Sequence, residues 1–363
     1  MRHEAVIIGG GPAGLAAAIE AARYGVEVLV IDENKKPGGQ LFKQIHKFFG
    51  SSAHNAGIRG IDIGLRLLED TEKSGVEVWL DSSAVGIFKD GRVAVLKNGE
   101  TRVVEADRIL ICTGASENAL RFPGWTLPGV MGAGAAQTMI NVNRVLPGKR
   151  ILMVGSGNVG VIVAYQLLQA GAQVAGVVEG MPRVGAYGVH AAKIRRAGVP
   201  FYLGHTIARV EGDGRVERAV IAEFKDGKIV PGTEKSADVD AVCIAVGLRP
   251  LTELAWMAGI KHEFIPELGG WMPLHDANME SSLPGIYVAG DTAGVEEANT
   301  AMDEGRLAGV AIAHSLGHLS FEQAEKDKAV IRDRLTALRQ GPFGQKRLNA
   351  KNRVIERGTH ELG

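Results

Sequence analysis

Two glycine-rich turns, each followed at a fixed distance by an acid, are the residues of this chain best placed to do chemistry. The first is Gly9-Gly10-Gly11-Pro12-Ala13-Gly14, directly after the apolar run 5–8. The second, about 145 residues on, is Gly155-Ser156-Gly157-Asn158-Val159-Gly160, directly after the apolar run 151–154. A second apolar run then ends in acid: 26–31 before Asp32 and Glu33, and 174–178 before Glu179. In this pattern the first glycine turns the chain, the second lets backbone approach a pyrophosphate, and the third lets a helix pack on its strand. The helix start offers free N–H groups and partial positive charge to the phosphates. The acid, 18 or 19 residues past the last glycine, can accept hydrogen bonds from a ribose diol. The spacing predicts one dinucleotide site at Gly9, Gly11 and Gly14 with Asp32 or Glu33. It predicts another at Gly155, Gly157, Asn158 and Gly160 with Glu179. Two such sites imply that one chain brings two redox cofactors together.

Each turn needs a strand before it and a helix after it. Residues 2–8 read as a strand, 12–24 as an alanine-rich helix and 26–31 as a second strand. The period is lost over 34–59, which hold Pro37-Gly38-Gly39-Gln40, and returns as a helix over 61–74. Residues 76–104 read as short antiparallel strands with turns at Lys89-Asp90-Gly91 and Lys97-Asn98-Gly99. A buried strand, 109–112, leads into Thr113-Gly114. After a Pro- and Gly-rich crossing at 122–129 the scheme repeats, ending in the buried strand 241–246 and Gly247-Leu248-Arg249-Pro250. Another strand, 285–289, runs to Gly290-Asp291 and a helix over about 296–316. The expected fold is α/β: two Rossmann-like dinucleotide-binding domains, the second inserted in the first. Residues 1–114 and 250–320 would enclose 115–249, and 321–363 would form a helical, polar arm. The arm is expected to bury Leu335, Leu338 and Phe343 against the body or a partner, with every cofactor contact lying before residue 320.

Composition removes several classes of function. Lys plus Arg equals Asp plus Glu, 41 each, so net charge gives no reason to expect a nucleic acid or an anionic membrane as partner. No apolar run approaches the ~18 residues of a membrane span. The first strand starts too early to leave room for a signal peptide, and the expected compartment is the cytoplasm. The two cysteines, Cys112 and Cys243, sit in separate apolar strands and form no Cys-x-x-Cys pair. A two-cysteine disulfide relay and an iron–sulfur cluster of the chain's own are therefore excluded. His314 and His318 share a helix face without a third ligand, so no metal site is expected.

The first fingerprint, Gly38-Gly39-Gln40, Thr113-Gly114, the second fingerprint, Ala245-x-Gly247-x-x-Pro250 and the run 283–291 together resemble the FAD-dependent pyridine-nucleotide oxidoreductases with two dinucleotide-binding domains. The likeness covers about 1–318. Residues 122–129, 132–137 and 304–309 look closest to one branch, the nucleotide-binding subunits of opine oxidase, dye-linked proline dehydrogenase and hydrogen cyanide synthase. The resemblance implies FAD at the first site, with Gly38, Gly39 and Gln40 beside the flavin and Asp291 on the ribityl hydroxyls. Thr113, Gly114 and Gly290 would complete the wall. The helix over about 296–316 would aim its start at the ring, with Glu297 and Ala298 among the cofactor contacts. Glu296 and Glu297 there either complement the helix dipole or meet a cationic amine or the flavin. In the loop 41–49, His46 is the histidine placed to donate a proton.

The second site would take NAD(H) or another adenine nucleotide. Glu179 would repel a 2′-phosphate by ~1 kcal/mol in water at close range, which favours NAD over NADP. Arg183, Arg195 and Arg196 pull the other way. The branch implies partner flavin or iron–sulfur subunits and a small-molecule substrate. Two further readings stand beside the heteromeric dehydrogenase: a stand-alone NADH-dependent reductase of a carrier or quinone, and a structural nucleotide-binding subunit with catalysis on a partner.

Overall fold

Residues 1–49, 51–341 and 344–362 are described by the computed structural model. They fall into two units, 1–116 with 249–363, and 117–248.

The first unit begins with β1 (Arg2–Ile8), α1 (Pro12–Arg23) and β2 (Val28–Ile31), then α2 (Gly60–Lys73), β3 (Glu77–Trp79), β4 (Ser82–Ile87), β5 (Arg92–Lys97) and β6 (Glu100–Ile111). The continuous apolar runs of β1, β2 and the end of β6 are buried on both faces, as strands of a parallel sheet must be. The sheet order is β3-β2-β1-β6-β5-β4. β3 joins it parallel to β2, not as part of the meander the turn signals suggest, while β4, β5 and β6 are antiparallel. β6 changes neighbours along its length. Its first residues pair with β5, and its last run parallel to β1, with Ile8 opposite Ile111. The turns after β1 and β6 therefore lie side by side at the carboxyl edge of the sheet, where the strand order reverses.

The second unit repeats the plan in smaller form. β7 (Val130–Gly132), β8 (Arg150–Val154), β9 (Gln173–Glu179), β10 (Phe201–Leu203) and β11 (Ala241–Ile244) make a parallel sheet in the order β10-β9-β8-β11-β7. The helices α3 (Asn158–Gln169) and α4 (Gly188–Arg196) connect its strands, and an antiparallel meander between 205 and 238 completes the unit.

The remaining chain belongs to the first unit. β12 (Ile286–Val288) runs parallel to the end of β6, followed by α5 (Ala298–Ser315), α6 (Phe321–Leu338) and α7 (Gln345–Leu362). α5 lies so close to α1 that a Cβ on Gly305 would stand 2.1 Å from the Ala13 carbonyl oxygen. α6 starts at Ser320, whose hydroxyl accepts the Gln323 N–H at 3.3 Å. It buries Ile331 and Leu335 in the main core, and Leu338 is half-buried. Phe343, with Pro342, lies outside the described residues. α7 packs Ala350 and Val354 against Ile265, Leu268, Met272 and Leu274. His314 donates its Nδ1–H to the Leu319 carbonyl at 3.0 Å, and His318 pairs with Glu4 at 2.8 Å.

Candidate functional site

In the first unit the turn after β1 is fixed by sterics. Gly9 has φ +107°, and a Cβ there would lie 2.2 Å from the Cys112 carbonyl oxygen. A Cβ on Gly14 would lie 1.9 Å from the Gly9 carbonyl oxygen, so strand, turn and helix can close only without side chains at these positions. Gly11 is different: a Cβ there meets nothing within 4 Å. It is the N-cap of α1, with Pro12 at the first helical position, so the first N–H groups of α1 sit beside open space. A backbone cradle with room in front of it fits a pyrophosphate.

Around this cradle stand the other segments singled out by the sequence. Gly38 donates its N–H to the Gly10 carbonyl at 2.5 Å, and a Cβ on Gly39 would come 3.0 Å from the Gly11 Cα. Gln40, exposed, follows in a short 3₁₀ turn. After β6, Thr113 donates to the Leu251 carbonyl at 2.6 Å, and the Gly114 N–H donates to the Thr292 hydroxyl at 2.8 Å. A Cβ on Gly114 would again meet open space. Gly290 and Asp291 follow β12, and a Cβ on Gly290 would lie 2.8 Å from Ala13 Cβ. Four separate segments thus converge on one edge of the sheet, and they fit the diphosphate and ribityl parts of an FAD.

The two acids after β2 part company. Asp32 is buried; it accepts the Gly10 N–H at 2.6 Å on one oxygen, and the Asn34 N–H and side-chain amide on the other. Glu33 is exposed. The side chain beside the glycine turn is Asp32.

Asp291 is a carboxyl pressed into the protein. Burial pushes it up to about 7, with the Glu304 and Glu296 carboxylates adding to the rise. Its Oδ1 accepts the Glu296 N–H at 3.4 Å. Glu296 precedes the helix rather than lying in its first turn, and it is engaged by Arg339 from the end of α6. That corrects its expected placement in the first turn of the helix. Glu297 is the exposed N-cap residue of α5 and faces Arg347 at 3.6 Å. Ala298, half-buried, packs with Leu41, Phe48 and Met302. His46 is half-buried, its ring stacked on Phe48 with centroids 5.7 Å apart.

The second unit carries the same turn. Gly155 has φ +108°, and a Cβ there would lie 2.1 Å from the Ala245 carbonyl oxygen. A Cβ on Gly160 would lie 2.2 Å from the Gly155 carbonyl oxygen, and one on Gly157 would meet nothing within 4 Å. Glu179 accepts the Ser156 N–H at 3.0 Å and its hydroxyl at 2.6 Å, as Asp32 accepts the Gly10 N–H. Its other oxygen accepts the Met181 N–H at 2.9 Å. Asn158 accepts the Tyr187 N–H at 3.0 Å, tying the start of α3 to the loop after β9. Arg183 and Arg196 are exposed, and Arg195 lies over the Phe201 ring at 5.4 Å.

Cys112, just past the end of β6, and Cys243, in β11, are buried in different units. Burial raises the Cys112 thiol far above its ordinary range and pushes Cys243 up to about 12, so neither forms a reactive thiolate near neutral pH.

The residues that sequence reasoning missed lie in the C-terminal helices. Arg339 and Lys351 are buried and form ion pairs with Glu304, and the Lys351 ammonium also donates to the Ala293 carbonyl at 2.8 Å. Read along the sequence, they look like solvated charges of a polar helix. No local signal marks them, because their partners come from another element.

Two sheets, each with parallel strands around a glycine cradle at the strand-order reversal and an acid at the end of the next strand, fit a flavin- and nicotinamide-dependent oxidoreductase. The chain belongs to the pyridine nucleotide-disulphide oxidoreductase family, which it matches over residues 3–305. The HcnB component of the hydrogen cyanide synthase of Pseudomonas aeruginosa is 33% identical over 86% of this chain and 71% of its own. One of the subunits of the opine oxidase of Agrobacterium tumefaciens is 31% identical over 96% of this chain and 72% of its own. Among solved structures, the L-proline dehydrogenase of P. horikoshii superposes with a TM-score of 0.71 at 24% identity, over 93% of this chain and 59% of that one. The chain thus spans less than two thirds of that protein. It is an FAD-dependent oxidoreductase. Among the described residues no helix is long and apolar enough to cross a membrane.

Proposed function

We propose that this chain is the nucleotide-binding subunit of a heteromeric amine or amino-acid dehydrogenase, with FAD in the first unit and NAD(H) in the second. The observation that carries the reading is the duplicated cradle: Gly9, Gly11, Gly14 and Asp32 in one unit correspond to Gly155, Gly157, Gly160 and Glu179 in the other, down to the N–H to carboxylate bond. Its place in a larger assembly is supported by relatives that are themselves named as subunits.

FAD, when bound, supplies the two-electron redox chemistry. The chain's own residues bind and orient it. The first N–H groups of α1 hold the diphosphate, Asp32 accepts from the adenosine ribose, and Asp291 meets the ribityl hydroxyls. Gly38, Gly39, Gln40, Thr113 and Gly114 wall the site, and His46 is the histidine offered as its proton donor. In the second unit Ser156 holds the Glu179 carboxylate where a free ribose 2′-hydroxyl can donate to it and a 2′-phosphate is repelled.

The test is purification of the full chain with its native partners, followed by nucleotide analysis and activity measurements on the complex and on the isolated chain. The reading expects FAD on this chain, NAD(H) preferred at the second site, and substrate turnover that needs the partner. Turnover of substrate by the isolated chain would replace it with a stand-alone reductase. A bound adenine nucleotide that never exchanges electrons would replace it with a structural role for the second site.

A further inference from the structure

The turn between β12 and α5 is anchored at successive residues. Gly290 donates its N–H to Glu304 at 3.1 Å, and Asp291 accepts the Glu296 N–H. Thr292, fully buried, ties the turn to Gly114 and to Thr113. The Ala293 carbonyl accepts from Lys351. At Gly294 a Cβ would come 3.2 Å from the Lys351 Cε.

Against this turn lies a buried cluster of two acids and two cations, with Asp291 beside it. Arg339 bonds Glu296 at 2.5 Å and Glu304 at 2.6 Å, and Lys351 bonds Glu304 at 2.7 Å. The side chains are 4% and 3% exposed for the two acids and 8% and 1% for the two cations. Glu296 comes from the approach to α5 and Glu304 from within that helix; both cations come from beyond residue 320. Away from water such charges act over longer distances than at a surface. A buried ion cluster is also a poor way to gain stability, since apolar side chains of similar volume serve as well or better. Its position is against the turn that carries Asp291.

We propose that Lys351 and Arg339 are positioning residues of the flavin site: they hold the 290–294 turn in place and balance the two carboxylates beneath it, so the C-terminal helices help set the reduction potential of the bound flavin. This rests on the placement of FAD in the first unit. Within the four, each acid is matched by a cation, and the neighbouring Asp291 carboxyl feels any change in that match. With a cation removed, the surplus negative charge makes taking up electrons harder; with an acid removed, easier.

The experiment uses the full-length, FAD-loaded chain and four proteins: wild type, Lys351→Met, Glu304→Gln and the double variant. The readout is the midpoint potential of the flavin, with FAD dissociation rate as a second measurement. Lys351→Met should lower the equilibrium constant for flavin reduction about tenfold, equivalent to ~30 mV for a two-electron couple. Glu304→Gln should raise it by a comparable factor, and the double variant should return close to wild type. Structural damage would not give shifts of opposite sign that cancel. If Lys351→Met does not fold with its flavin, Glu304→Gln and the double variant still decide the matter. Potentials that stay at the wild-type value, or that all move in one direction, would overturn the proposal while leaving FAD binding intact. A wild-type chain that takes up no FAD would instead overturn the cofactor assignment, and this proposal with it.

Discussion

The backbone N–H of Gly10 donates to the carboxylate of Asp32 at 2.6 Å, across the gap between the first glycine turn and the end of the second strand. A Cβ on Gly10 would stand 2.9 Å from the same oxygen, so the turn and the acid are shaped to each other. Asp32 still has accepting capacity, because a carboxylate offers about four lone-pair sites and three are used within the chain.

Asp32→Ala should weaken FAD binding at least tenfold. It should also cost about 1–3 kcal/mol in stability of the apoprotein, as buried donors lose their acceptor. Glu33→Ala, at an exposed position, should change neither by more than ~0.5 kcal/mol. Flavin titration by fluorescence together with chemical denaturation would check both, and equal losses in the two variants would contradict the assignment of the ribose acid.

The glycines of the first turn should separate folding from binding. Gly14→Ala places a methyl group 1.9 Å from the Gly9 carbonyl oxygen and should impair folding itself. Gly11→Val adds a Cβ that meets nothing within 4 Å, so the apoprotein should fold with little change and fail to hold FAD. Circular dichroism and flavin content read on the same samples distinguish the two. Normal flavin content in Gly11→Val would place the diphosphate elsewhere.

Much of this was legible in the sequence because it is local. Turn, cap and acid fall within about 25 residues of one another, and the apolar runs that frame them have lengths only buried strands explain. Even so, Asp32 and Glu33 could not be told apart, since the choice depends on which of two adjacent side chains faces the Gly10 N–H. The role of the last helices was not legible at all. Lys351 and Arg339 look like any charged helix residue until α5 is packed beside them, and Glu296 looks like an ordinary acid at a helix start. Buried ion pairs join elements distant in sequence and leave no periodic trace.

The second site should discriminate by the charge of Glu179. Replacing it with Ser removes the repulsion toward a 2′-phosphate and the acceptor for a free 2′-hydroxyl. NADH should lose and NADPH should gain, each by a few fold to about tenfold, or ~1 kcal/mol. Stopped-flow measurement of flavin reduction at equal low concentrations of each nucleotide is the check, and an unchanged ratio would rule Glu179 out as the discriminating group.

Asp291 gives the apoprotein a characteristic pH dependence. Its folded value of about 7 lies above the ordinary 3.8, so the folded state binds the extra proton. The stability linked to that proton is fully present below about pH 4 and is lost as pH rises through about 7. Buried His275, pushed down to about 3, works the other way: its contribution is complete above about 6.5 and is lost as pH falls toward 3. The two slopes oppose each other between about pH 4 and 6.5. Asp291→Asn should remove the decline toward pH 7 and leave a stability that only rises with pH from this pair. Denaturation midpoints between pH 4 and 8 would show it, and parallel profiles for wild type and variant would exclude Asp291 as the group responsible.

The central claim is that one chain holds both an FAD and the nicotinamide nucleotide that exchanges electrons with it. Anaerobic titration of the purified, FAD-loaded chain with NADH, followed by flavin absorbance, tests it most directly. The expected result is a yellow protein whose oxidised-flavin absorbance bleaches with NADH, and bleaches more slowly with equal NADPH. A colourless protein that cannot be reconstituted with FAD, or a flavin that neither nucleotide reduces, would contradict it.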